Sequence, residues 1–162
     1  MAAFKTVNGC GKYRDLNSKD DVINYILNPY KTPHRLIGMC MVDENDPARS
    51  MHNVSVKFGK GNGVQLRHLI VSFAPFENCD IYKANEIARE FIAFIGQKYQ
   101  AVYAVHENKN NVHFHIAFNS VSYIDGQRYY GTRAEHHHML NALKAIARRY
   151  GIYDLHYVKL NS

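Results

Sequence analysis

Residues 104–119 read AVHENKNNVHFHIAFN, and where their histidines fall decides how the rest of the chain must be arranged. NVHFHIAFNSVSYI (111–124) is rich in aromatic and branched side chains and predicts one long strand. Side chains alternate across a strand. Val112, Phe114, Ile116 and Phe118 therefore share one face, while His113, His115, Ala117 and Asn119 share the other. The preceding AVYAVHE (101–107) predicts a second strand, and the link ENKNNV is short enough for the two to pair antiparallel. That pairing sets His106 beside His113 and His115.

Two neutral imidazoles two residues apart on a strand, with backbones roughly 6–7 Å apart, can converge on one metal ion. A third completes an open site. His-x-His also occurs in many unrelated sheets, where each ring is an ordinary hydrogen-bonded polar group. Cupin-like and hydrolytic metal sites share the pattern, so spacing alone leaves the chemistry open. His136, His137 and His138 are a rival cluster, but consecutive helical residues point about 100° apart. They are expected on solvated surface or at a phosphate-facing edge. His34, His52 and His156 have no partner pattern.

Working outward, LRHLIVSF (66–73) predicts a strand closed by Pro75, with shorter strands in AFKTV (3–7) and LHYVKL (155–160). KANEIAREFIAFIG places Ala84, Ile87, Ala88, Phe91 and Ile95 on one helical stripe that ends at Gly96. A second helix over 134–150 aligns Met139, Leu143, Ile146 and Tyr150, with Gly151 as its cap. SKDDVINYILN predicts a third, with Ser18 as N-cap and Pro29 closing it. Residues 30–64 are the least regular, and VKFGKGNG reads as a flexible basic loop without the GK[ST] of a P-loop. Asp125-Gly126 is a hairpin-turn signal leading into QRYYG. These elements predict one domain over 1–162, an α+β two-layer sandwich. Its central antiparallel sheet carries helices mainly on one face and the metal site on the other.

The 162 residues suffice for a real core, and no apolar run reaches the roughly 18 residues of a bilayer span. The N-terminus lacks the apolar stretch of a signal peptide. Cys10, Cys40 and Cys79 are odd in number and scattered, which points to reduced thiols and a cytoplasmic setting. A formal charge of +6 permits a polyanionic partner without identifying one.

On the first predicted helix, Val22, Ile23, Ile26 and Leu27 form one broad stripe, and Tyr25 lies roughly 130° from its middle. A tyrosine there is commonly plain surface. It is also a hydroxyl held on a rigid element and left unused by the core, as a nucleophile requires.

With that tyrosine, three ordered segments stand in line: VINYILNPYKT, LRHLIVSFAPFE and AVHENKNNVHFHIAFNSVSYIDGQRYY. Together they resemble the MobA/VirD-type relaxases of conjugative and mobilizable elements, the MOBP group, above all the versions common in Gram-positive bacteria. These are HUH endonucleases, and His113-Phe114-His115 is the His-hydrophobic-His element. The resemblance runs from about residue 4 to 150. It implies that Tyr25 is the nucleophile, that Ser72 contacts the DNA strand near the nick, and that His106, His113 and His115 bind a divalent metal, Mn²⁺ or Mg²⁺. Asn119 matches the closing asparagine. Glu107 stands where relatives commonly have Asp, implying a carboxylate that orients His106. Phe76 replaces the glycine that relatives carry after SF.

The function so implied is nicking of one DNA strand at an origin of transfer, through a 5′-phosphotyrosine adduct and rejoining, during mobilization of plasmids or integrative elements. Single-stranded or hairpin DNA is the implied substrate. Accessory mobilization proteins and a type IV secretion coupling protein are the implied partners, within a bacterial cytoplasm. The chain would be a compact stand-alone relaxase or an excised nuclease domain. Tyr123, Tyr129 and Tyr130 with Arg128 and Arg133 offer stacking and phosphate-contacting groups near the hairpin, unless two of the three tyrosines pack it against helix 134–150. Lys57, Lys60 and Arg67 are further phosphate candidates. Three alternatives stay open. An HUH replication initiator or single-strand transposase would use Tyr150 or Tyr153. A metal-stabilised DNA-binding module would cleave nothing. A cupin-type enzyme is disfavoured by the basic charge.

Overall fold

The computed structural model describes residues 2–7, 13–14, 17–108 and 111–159. Cys10 lies outside them. In chain order the elements are β1 (Ala2–Thr6), α1 (Asn17–Ile26), β2 (Ile37–Cys40), α2 (Pro47–Lys57), β3 (Leu66–Phe73), α3 (Ile81–Ile95), β4 (Ala101–Asn108), β5 (Asn111–Asn119), α4 (Arg133–Arg149) and β6 (Leu155–Lys159). The six strands form one sheet in the order β2-β4-β5-β3-β1-β6. Every pairing is antiparallel except that of β1 with β6. The last strand therefore makes the sheet mixed at that edge. The architecture is the expected α+β layering.

The alternation expected for β5 sorts the core into two clusters. Phe114, Ile116 and Phe118 join Leu69, Val71 and Phe73 of β3 beneath α3 and α4. α3 contributes Ala84, Ile87, Ala88, Phe91 and Ile95, and α4 contributes Met139, Leu143 and Ile146, the stripes their spacing predicts. Ala117, Val102 and Ala104 face the other way, onto Val22, Ile23 and Ile26 of α1 and Ala48 and Met51 of α2. The two long helices thus cover one face. The histidine face is not bare, because two shorter helices occupy part of it.

Two of these elements fall in the stretch expected to be irregular. Asp46 caps α2, its side chain accepting from Arg49 N at 3.1 Å, and Pro47 sits in the first turn, where a missing N–H costs nothing. The helix buries only Ala48, Met51 and Ser55, a stripe too polar for hydrophobic periodicity to register. β2 is a four-residue edge strand on β4. The glycine-rich loop is anchored rather than flexible. Gln65 Nε2 donates to Lys60 O and Gly63 O, Arg128 Nη2 donates to Lys60 O, and Lys60 Nζ donates to Gly126 O. Ser18 lies inside α1 rather than at its cap.

The Asp125-Gly126 turn forms with Gly126 at φ 71°, and the chain folds back so that Tyr129 N donates to Ser120 O at 2.7 Å. No helix among the described residues is long and apolar enough to cross a membrane.

Candidate active site

β4 runs one residue further than the pattern suggests, β5 stops at Asn119 rather than continuing to residue 124, and the register sets His106 directly opposite His113. His115 follows two residues on, on the same face. Ring centroids lie 5.4 Å apart for His106–His113, 5.1 Å for His113–His115 and 4.5 Å for His106–His115. One ligand nitrogen from each falls within 4.8 Å of the others, the only such metal-capable group among the described residues.

Each ring also has one nitrogen engaged by the protein. His106 Nε2 donates to Ile26 O at 2.8 Å, since a carbonyl only accepts. His113 Nδ1 donates to Asn111 Oδ1 at 3.0 Å. His115 Nδ1 lies 2.8 Å from Nε2 of His68, on the neighbouring strand β3. The other nitrogen of each ring is left for the cluster.

Electrostatics favour the form a metal needs. Burial lowers the His106 pKa below the ordinary imidazole range, opposed by its bond to Ile26 and helped by Lys31. Burial takes His113 down to about 4, with His106 and Lys5 adding to the shift. It takes His115 down to about 2, assisted by His68, His106, His113 and Lys31. All three rings are neutral at physiological pH, with lone pairs available. Three neutral imidazoles, two buried and His113 half-buried, fit a divalent ion.

Tyr25 stands at the edge of this cluster. α1 docks through Val22, Ile23 and Ile26, and the bond from His106 to Ile26 O pins the turn that carries the tyrosine. The Tyr25 ring is 5.8 Å from that of His115 and 6.4 Å from that of His106, edge-on to both. It remains 48% exposed, so a substrate can reach it. Lys31 Nζ lies 4.0 Å from the ring centroid, a cation over the π-face. Ser72 pairs with His113 across β3 and β5, on the histidine face. One end of the sheet therefore gathers Tyr25, His106, His113, His115 and Ser72.

The remaining candidates lie elsewhere. Glu107 follows His106 on β4, so alternation turns it to the opposite face, where it is exposed and lines a cleft with Pro75, Cys79 and Val112. Asn119 lies on the histidine face but four residues beyond His115, about 13 Å at strand rise. It is fully buried and bonds Met51 O, Gln100 Oε1, Ser55 Oγ and Val121 N, tying α2 to the sheet.

Arg67 faces away from the triad, donates to Tyr129 O at 3.1 Å and lies under the Tyr129 ring. Tyr129 is itself core, packed on Phe118 and Tyr99 and edge-on to His136 of α4, as the alternative reading anticipated, whereas the Tyr123 hydroxyl bonds Gly96 O at the end of α3 rather than the last helix. Lys60 and Arg128 are engaged with the loop they anchor, while Lys57, Tyr130 and Arg133 are exposed near the end of the sheet remote from the triad. Phe76 is exposed on the turn after β3. Tyr150 bonds Glu90, from the end of α4 to α3 on the opposite face, and Tyr153 precedes β6, three strands from β5.

Sequence reasoning missed Asn111, His68 and Lys31. A usable signal existed for His68. Alternation along LRHLIVSF puts Leu66, His68, Ile70 and Ser72 on one face, so an imidazole there shares the side of Ser72.

Comparison with known proteins bears on this arrangement. The family model described as "Relaxase: MobA/VirD2-like, nuclease domain" matches residues 25–152. The group II intron-interrupted relaxase LtrB of Lactococcus lactis subsp. cremoris is 38% identical over 71 residues, covering 43% of this chain and 13% of that protein. A protein rlx of Staphylococcus aureus is 36% identical over 78 residues, 48% of this chain and 24% of its own length. A second rlx from that organism is 27% identical over 95 residues, 59% of this chain and 30% of its own. The match thus spans less than a third of each of these relatives.

Proposed function

The chain belongs to the MobA/VirD2-like relaxase nuclease family, and from that membership we propose that it is a one-tyrosine DNA relaxase domain that nicks and rejoins a single strand at an origin of transfer. The observation that carries this reading is the Tyr25 ring set edge-on against His106 and His115. A hydroxyl on a docked helix beside three neutral imidazoles is what metal-assisted transesterification of a phosphodiester needs.

His106, His113 and His115 would hold a divalent ion, Mn²⁺ or Mg²⁺. When bound, such an ion would draw negative charge from the non-bridging oxygens of the scissile phosphate. Tyr25 Oη attacks the phosphorus in line. The new Tyr O–P bond forms as the P–O3′ bond breaks, and the phenolic proton is balanced by the one gained at the released 3′-hydroxyl. The 5′ phosphate stays on Tyr25, and attack by a 3′-hydroxyl reverses the step. Neutral phenol is a weak nucleophile, and the Lys31 ammonium over the ring adds positive charge beside the aromatic system into which the attacking oxygen's negative charge delocalises. The pairing of Ser72 with His113 across β3 and β5 supports a contact of Ser72 with the strand near the nick.

The substrate is single-stranded or hairpin-flanked DNA, with the exposed Lys57, Tyr130 and Arg133 serving its distal part. Accessory mobilization proteins and a type IV secretion coupling protein are the expected partners, in a bacterial cytoplasm. The position of Tyr150 against Glu90 weighs against the C-terminal-tyrosine chemistry of replication initiators.

The test is denaturing-gel capture of a covalent adduct, using Mn²⁺ and single-stranded DNA from the region flanking the gene. The wild type gives a shifted band that maps to Tyr25, and Tyr25→Phe and His113→Ala give none. An adduct that persists in Tyr25→Phe and maps to Tyr150 or Tyr153 would overturn the assignment. DNA binding with no adduct from any variant would favour a non-catalytic module.

A further inference from the structure

We infer that His68 is the positioning residue of the metal centre: it holds His115 so that Nε2 faces the ion, and it is held in turn by Tyr13. The inference rests on the metal reading of the triad, and it concerns a residue that would not touch the ion. His68 is buried on β3, on the histidine face, with its ring 5.1 Å from that of His115 and tilted 32° to it. Its Nε2 is 2.8 Å from His115 Nδ1, and its Nδ1 is 3.3 Å from the Tyr13 hydroxyl.

The partners of the three ligands differ in kind. Ile26 offers His106 a carbonyl and Asn111 offers His113 an amide oxygen, both acceptors that fix the tautomer of the ring they hold. His68 offers His115 an imidazole nitrogen, which donates or accepts according to its own tautomer. With an ion on His115 Nε2, the neutral ring must carry its proton on Nδ1 and donate to His68 Nε2. His68 then carries its proton on Nδ1 and donates to the Tyr13 oxygen. Metal occupancy thus gives the chain His115–His68–Tyr13 a single direction.

The choice of an imidazole has a consequence for charge. Among the described residues, the hydrogen-bond partners of the three ligands are a carbonyl, an amide and an imidazole, and none is a carboxylate. A carboxylate would orient a ligand histidine equally well and would bring a negative charge to the centre. His68 orients without doing so. The full positive charge of the ion remains available to an anionic phosphodiester.

Two measurements on the full chain test this. Mn²⁺ affinity is measured by titration calorimetry for the wild type, His68→Leu and His68→Gln, with thermal melting of each metal-free protein as the folding control. Loss of an orienting partner typically costs 10–100-fold in metal affinity. His68→Leu is expected to lose that much while still melting cooperatively. His68→Gln, whose carbonyl can accept from His115 Nδ1, recovers most of it. Histidine ¹⁵N NMR of the Zn²⁺-loaded wild type is expected to show His68 protonated on Nδ1.

A folded His68→Leu that binds Mn²⁺ as tightly as wild type, a His68→Gln no better than Leu, or a loaded protein with His68 protonated on Nε2 would each overturn the inference and leave the metal reading standing. A wild type that takes up no Mn²⁺ would remove both. Adduct capture at Tyr25 reports on the relaxase reading separately.

Discussion

Lys19 sits on α1, fully buried, with its ammonium donating to Ser55 Oγ at 2.9 Å and to Gln65 Oε1 at 3.3 Å. Both partners are neutral. Burial, with Arg128 adding repulsion, lowers its pKa from 10.5 to about 8. The folded state gives up this proton near pH 8 while the unfolded chain keeps it to about 10.5, so in that window the unfolded state binds more protons and stability rises with pH. Integrated from pH 7 to 10, a shift of this size amounts to about 2.5 kcal/mol. Many other groups titrate in the same range, so the quantity to measure is a difference. Urea unfolding of the wild type and Lys19→Met at pH 7, 8, 9 and 10 isolates it, because Met keeps the apolar stem and cannot ionise. The stability of the wild type relative to Lys19→Met is expected to climb by about 2.5 kcal/mol across the series, nearly all of it above pH 8. A relative stability flat to within about 0.5 kcal/mol, below the cost of any buried charge, would refute the buried position of Lys19. It would refute with it the close packing of α1 on α2 that excludes water there.

Two further substitutions separate structural from metal-directed roles. Asn119→Ala removes a side chain that satisfies four buried partners and is expected to cost about 3 kcal/mol in urea unfolding. Its Mn²⁺ affinity should stay near wild type, because the side chain serves α2 and not the triad. Glu107→Ala is expected to leave Mn²⁺ affinity and stability nearly unchanged, because the carboxylate is exposed on the opposite face from His106. A tenfold loss of Mn²⁺ affinity in calorimetry would return it to the metal centre.

Where one element's own pattern decides the outcome, the amino-acid order is enough. Alternation in NVHFHIAFN determined that His113 and His115 share a face and that Phe114, Ile116 and Phe118 share the other. The 3.6-residue stripes determined the buried sides of α3 and α4. Tyr25 was legible as a hydroxyl off the stripe of its helix. What alternation and periodicity cannot carry is the position of one element against another. α2 went unread because its contacts are made by Ala48, Met51 and a serine, and a serine becomes a core residue only when Asn119 and Lys19 come to meet it. Arg67 and Asn119 look like surface polar residues in the chain, and become internal ties only once Tyr129 and Gln100 are brought beside them.

The centre itself divides in the same way. The strand pattern determined that His113 and His115 share a face, because alternation is a property of the backbone alone, while the β4–β5 register brought His106 opposite His113. Tertiary structure decided which nitrogen of His106 and His115 is turned inward, because Ile26 and His68 come from α1 and β3, whereas Asn111 holds His113 from two residues away on the same strand. It also decided that the helix carrying Tyr25 comes to rest against His106 and His115, since that contact joins residues some eighty positions apart through a hydrogen bond that no local pattern encodes.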